Sequence, residues 1–224
     1  MKFNRKKVFV LALSVCLIAI LSFSTLAWFT DFDEVNNAFH VATSTGDPDD
    51  IFSVDVREKV DTDGDGIVDA TLDVGDVPDG GFDYERIYPS AELVKEPFAV
   101  NTGKYDQYVR MLVTIDKEWD ELVKGDLNAN LKGLDTAMWT YDGKAEENGK
   151  VTYTYYLNRV LPHSDEENTG RQTLFTHVVI PAELTQEDLA KLPNGMFTMD
   201  IVAEAVQADN TGDNAQDAFA LVMG

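Results

Sequence analysis

Alternation of apolar and polar residues with a period of two marks most of the elements in this chain. Over 109–115 the apolar residues Val109, Met111, Val113 and Ile115 fall on every second position, with Arg110 and Thr114 between them. Successive side chains of an extended chain point to opposite faces, so this stretch has one face fit for a core. Leu112 interrupts the polar face. Further on, Phe197, Met199, Ile201, Ala203 and Ala205 alternate with Thr198, Asp200 and Glu204. A helix would scatter either set around its circumference. Residues 151–161 are rich in Thr, Tyr and Val, and 172–180 in β-branched and aromatic residues; each stretch closes on a proline, Pro162 or Pro181, and both predict strands. Earlier strands are predicted over 38–43, 51–57 and 95–100.

Two short helices complete the pattern. Thr185-Gln186-Glu187-Asp188 is a capping signature and predicts a helix to Leu192, with Leu184, Leu189 and Leu192 inward and Pro193 beyond its end. A second is predicted over 117–124, with Trp119 and Leu122 as its apolar side. Many short strands with few helices describe an all-β antiparallel β-sandwich. Neither a repeat of fixed period nor a Pro-rich linker divides it, so 28–224 is expected to form a single domain.

The first residues follow a different rule. Lys2, Arg5, Lys6 and Lys7 precede an apolar run over 8–23, and Ser24-Thr25-Leu26-Ala27 comes after it. Small side chains at Thr25 and Ala27 suit signal-peptidase cleavage before Trp28, which makes 1–27 an export signal. The alternative is an uncleaved membrane anchor, the one route by which the chain would meet a membrane; either way the remainder lies outside. Cys16, the sole cysteine, sits inside the run, so disulfides contribute nothing. Leu13-Ser14-Val15-Cys16 has the outline of a lipoprotein acylation box, but Val15 is bulkier than the small residue expected there.

Past the cut, Ala27-Trp28-Phe29-Thr30-Asp31 and then Asn36-Asn37-Ala38-Phe39 resemble the signal peptides handled by SipW-type signal peptidases. Two further stretches extend the likeness to the TasA and camelysin family of Gram-positive bacteria. Tyr88-Pro89-Ser90-Ala91, Val100-Asn101-Thr102-Gly103 and Tyr108-Val109-Arg110-Met111 are similar to its proline turn, Asn-Thr-Gly turn and Tyr-Val-Arg strand. Residues 201–208 are similar to its final core strand. The tail after Asn210 departs from the family, with Phe219 roughly where relatives often have Trp. The resemblance implies a jelly roll, an extracellular and often fibre-forming matrix protein, and a processing peptidase of SipW type.

Charge narrows the partners. Forty Asp and Glu against 18 Lys and Arg give −22, and losing the four N-terminal cations would carry the chain to about −26. Such a surface repels phosphate backbones and anionic lipid, which excludes a general nucleic-acid binder or a polybasic membrane-surface protein. It favours cations. Asp61-Thr62-Asp63-Gly64-Asp65-Gly66-Ile67-Val68-Asp69 sets carboxylates at alternate positions with glycines that let the backbone curl. That arrangement turns several hard oxygens onto one calcium ion. Asp61, Asp63 and Asp65 would give side-chain oxygens, Ile67 its carbonyl, and Asp69 a carboxylate or a water bridge, with Val68 anchoring the loop to the core. The pattern resembles the start of an EF-hand loop and equally a thrombospondin type 3 loop. Leu72 stands where an EF-hand has its bidentate Glu, so Asp73 or a distant residue would complete the shell. The ion would order an acidic insert over about 60–82; the alternative is a solvated acidic turn.

Catalytic patterns are poorly represented. His40, His163 and His177 are widely spaced, and neither an H-E-x-x-H nor a G-x-S-x-G occurs. His177 alternates with Phe175 and Val179 and is expected to be a packed or edge histidine, while His163 is expected to be solvated after Pro162. A non-enzymatic structural protein is therefore expected, assembling by strand addition with copies of itself or with a related matrix fibre protein. A donor role for 28–39 and a self-paired first strand are both open. The competing class is a secreted camelysin-like metallopeptidase.

Overall fold

The computed structural model describes residues 30–36, 40–41, 54–60, 68, 70–72, 87–163, 170–209 and 211–223. Its strands are β1 (Thr30–Asn36), β2 (His40–Val41), β3 (Val54–Val60), β4 (Ala70–Leu72), β5 (Glu92–Asn101), β6 (Gln107–Asp116), β7 (Leu131–Lys132), β8 (Trp139–Glu147), β9 (Lys150–Leu157), β10 (Arg171–Thr173), β11 (His177–Val179) and β12 (Met199–Gln207). Its helices are α1 (Lys117–Leu122), α2 (Gln186–Leu189) and α3 (Ala215–Met223). The strands form two antiparallel sheets, one ordered β2-β1-β12-β6-β9-β8 and the other β4-β3-β5-β11-β7, with β10 also beside β5.

The predicted alternation is what builds the core. Val109, Met111, Val113 and Ile115 of β6, Tyr153 of β9, and Ile201 and Ala203 of β12 are fully buried against Val54, Val56 and Ala99 of the other sheet. Burial of each large side chain contributes about 1.5–3 kcal/mol. Nine consecutive pairs, from Met199↔Ile115 to Gln207↔Gln107, lock β12 to β6. At one end Asp116 ties three strands together: Thr198 donates its N–H and hydroxyl to Oδ2 at 2.6 and 2.9 Å, and Lys150 Nζ lies 2.8 Å from Oδ1. Phe197, expected in the strand, lies just before it and stacks on the buried Trp119 of α1 with centroids 4.1 Å apart.

Three expectations need correction. Residues 172–180 are two strands rather than one, because Pro97 of β5 has no N–H to continue a ladder. There Pro97 O accepts from Leu174 N, Lys95 N–H donates to Thr176 O, and Leu174 and Phe175 both turn into the core. The register with β5 is the same on both sides of the break; Leu174, Val178 and Ile180 keep one parity inward, Phe175 is buried in addition, and His177 and Val179 are half-buried on the face opposite Val178. The same segment demands Gly133 beside it: at φ +80°, a Cβ there would meet Thr176 Oγ1 at 2.5 Å. The predicted helix to Leu192 ends at Leu189, although Thr185 and Asp188 form the expected reciprocal cap and Leu184, Leu189 and Leu192 are buried. Finally, β8 and α3 stand where no element is predicted.

Candidate functional site

The five residues expected to hold calcium, Asp61, Asp63, Asp65, Ile67 and Asp69, lie outside the described residues. Their frame is described. Strands β3 and β4 pair antiparallel through Glu58↔Leu72, Lys59↔Thr71 and Val60↔Ala70. Residues 61–69 therefore connect a hairpin at the edge of the second sheet, and part of the expected acidic insert is strand. Val68 does not anchor this connection to the core, since it is 40% exposed. Val68 lies beyond the last pair of the hairpin, Val60↔Ala70. No group of three or more metal-ligating side chains occurs among the described residues.

The N-terminal strand forms the second candidate. β1 pairs with β12 of its own chain over six positions, from Thr30↔Val206 to Val35↔Ile201. On its other side, among the described residues, only Val35 and Asn36 are paired, to Val41 and His40 of β2. Among the described residues, the main-chain groups of residues 30–34 on that side meet no further strand. The opposite end is guarded. Edge strand β8 has a bulge at Asp142, where the register with β9 shifts between Tyr141 and Gly143, and exposes Asp142, Lys144, Glu146 and Glu147. Charges and a bulge on an edge strand oppose pairing with another chain.

Edge strand β8 is also pinned from behind. Lys144 Nζ lies 2.9 and 2.8 Å from the two carboxylate oxygens of Asp120 in α1, and 3.1 Å from Gly125 O. Tyr153 donates its phenol to Asp120, and Tyr155 donates to Asn128 Oδ1 at 2.7 Å. The ring of Tyr141 covers both tyrosines at 5.8 and 5.6 Å. Burial, then Asp120, pushes the Tyr153 phenol up to about 12; burial also pushes Tyr155 up.

The outer face of the first sheet, where alternation places polar side chains, is covered instead by α3. Phe219 packs with Tyr108, Tyr156, Val206 and Ala218, and its ring lies 4.5 Å from the Arg110 guanidinium. Arg110 donates to Glu204 on β12 and, at 3.2 Å, to the Tyr156 hydroxyl on β9. Thus Tyr108 and Arg110 of the Tyr-Val-Arg stretch face α3, while Val109 and Met111 face the core. The Asn-Thr-Gly turn is equally saturated: buried Asn101 donates to Tyr105 O and Leu161 O at 2.8 and 3.0 Å and accepts from Gly103 N.

Of the histidines, the side chains of His163 and His177 are described, and these two have separate partners. His177 lies on β11, with Nδ1 3.0 Å from Thr176 Oγ1. His163 is not solvated as expected; it is half-buried, donates its N–H to Asp106 Oδ1 at 2.9 Å, and its Nδ1 meets Gly103 O. Proximity of the Asn101 turn, brought by the Gln107–Leu161 bridge, places it there. No helix among the described residues is long and apolar enough to cross a membrane. Comparison with protein-family models, curated proteins and solved structures found no match.

Proposed function

We propose that this chain is a secreted structural protein of a Gram-positive cell surface or biofilm matrix, a jelly-roll subunit that assembles by strand addition with copies of itself or a related fibre protein. One observation carries the reading: the first strand, β1, is held beside β12 by a six-position main-chain ladder and, among the described residues, is covered on its other side only by the two-residue β2, while the other end of the sheet is guarded. Main-chain pairing does not depend on side-chain identity, so the 28–39 segment of another copy can make the same bonds. Cleavage before Trp28 by a SipW-type peptidase would free this segment at the new N-terminus. Calcium held by the Asp61 loop would close the β3–β4 hairpin and reduce repulsion between acidic subunits.

Electron microscopy and sedimentation of the mature protein, with and without residues 28–39, test this. The intact chain should form pelletable filaments that do not degrade casein, and the deletion variant should remain folded and monomeric by circular dichroism. Filaments that persist after the deletion would overturn the role of β1, and chelator-sensitive casein cleavage would favour a metallopeptidase.

A further inference from the structure

Two ionisable side chains are buried inside the sandwich rather than on it. Glu58 follows Val54 and Val56 on the inward face of β3, and Lys95 lies on the inward face of β5, one diagonal step away across the pairs Glu58↔Pro97 and Val60↔Lys95. Their side chains are 2% and 3% exposed. Lys95 Nζ is 2.8 Å from Oε1 and 2.9 Å from Oε2, so the amine nitrogen is shared almost equally between the two oxygens of the carboxyl group. A buried ion pair contributes little stability compared with apolar residues of similar volume, so stability alone does not account for this placement. With a single cysteine, the chain has no internal disulfide with which to join its strands.

We infer that Lys95 and Glu58 form an intramolecular amide between Nζ and Cδ, a covalent bond joining β3 to β5 inside the sandwich. The chemistry balances without a co-reactant. A proton passes from the ammonium to the carboxylate, which gives a neutral amine and a neutral acid. The nitrogen lone pair adds to Cδ, a second proton moves from nitrogen to a departing oxygen, and one water leaves. The environment favours the reactive forms, because burial pushes the Glu58 carboxyl up and the Lys95 ammonium down against their mutual attraction and that of Asp200. Folding supplies the proximity, since holding two groups in contact replaces a bimolecular encounter with an intramolecular one. The bond removes both buried charges. This inference does not depend on secretion or assembly.

Mass spectrometry of the purified full chain tests it. The denatured protein should be lighter than its sequence mass by about 18 Da, one water. Tryptic digestion should fail after Lys95 and yield the 87–104 peptide joined to Glu58-Lys59. Lys95→Arg should restore the full mass and free cleavage elsewhere. Because arginine is bulkier than lysine at this buried position, a Lys95→Met, Glu58→Leu double variant, of similar volume, serves as a folded control and should also show the full mass. An unmodified wild-type mass with ordinary cleavage after Lys95 would overturn the bond, as would a mass loss that survives either substitution. A branched peptide carrying Asp200 instead would overturn Glu58 as the acyl donor.

Discussion

Tyr153 shows how a residue placed by pattern acquires properties that pattern does not reveal. Alternation along β9 turns it inward, but its partner Asp120 comes from α1, 33 positions away in sequence. Its phenol is held neutral in the fold, pushed up to about 12 from an ordinary value near 10. The folded state thus holds its proton more tightly than the unfolded state. Stability from this group is complete below about pH 10 and is lost as pH rises through about 12. The urea midpoint should accordingly fall between those values, and Tyr153→Phe should flatten the fall while costing about 0.5–1.5 kcal/mol at neutral pH through the lost hydrogen bond. Denaturation series at both pH values check this; an unchanged alkaline slope in the variant would refute it. Tyr155, pushed in the same direction, leaves part of the slope in place.

Among the elements, those facing two ways were legible and those defined by a distant partner were not. Strands β6 and β12 emerge from a period of two because one face meets the core. β8 does not, since beyond Trp139 its side chains are mostly exposed and its register is broken at Asp142. α3 escapes for a different reason. Asn214 caps it by accepting from Asp217 N–H at 2.9 Å, a signal of the same form as Thr185 and Asp188, but its apolar side needs the outer face of β6, β9 and β12, which alternation assigns to solvent. Phe219→Ala should cost about 3–5 kcal/mol by emptying the space among Tyr108, Tyr156 and Val206, and Asn214→Ala about 1 kcal/mol. Chemical denaturation measures both, and a Phe219→Ala loss below about 0.5 kcal/mol would mean that α3 does not pack there. The split of 172–180 has a comparable origin: its cause is Pro97, on another strand.

Across the whole molecule, the two-sheet sandwich was legible because its core strands carry their pattern locally, whereas the calcium residues are readable only as a spacing. The hairpin of β3 and β4 gives that spacing a frame at a sheet edge. If the loop binds the ion, replacing Asp61, Asp63 and Asp65 together by Asn should abolish the rise in melting temperature that calcium gives through binding the native state. With an incomplete shell, the affinity expected of the loop is roughly 0.1–1 mM. Absence of heat on titrating several millimolar calcium into the unmutated protein would remove the site. The direction of β1 has a mechanical consequence. Thr30, the first residue of β1, lies opposite Val206, near the C-terminal end of β12, so the chain enters and leaves this ladder on the same side. Tension applied before Thr30 and after Gln207 therefore loads the pairs one after another and peels β1 away like a zip, whereas tension drawn from β1's other end would shear all six pairs together and meet far greater resistance.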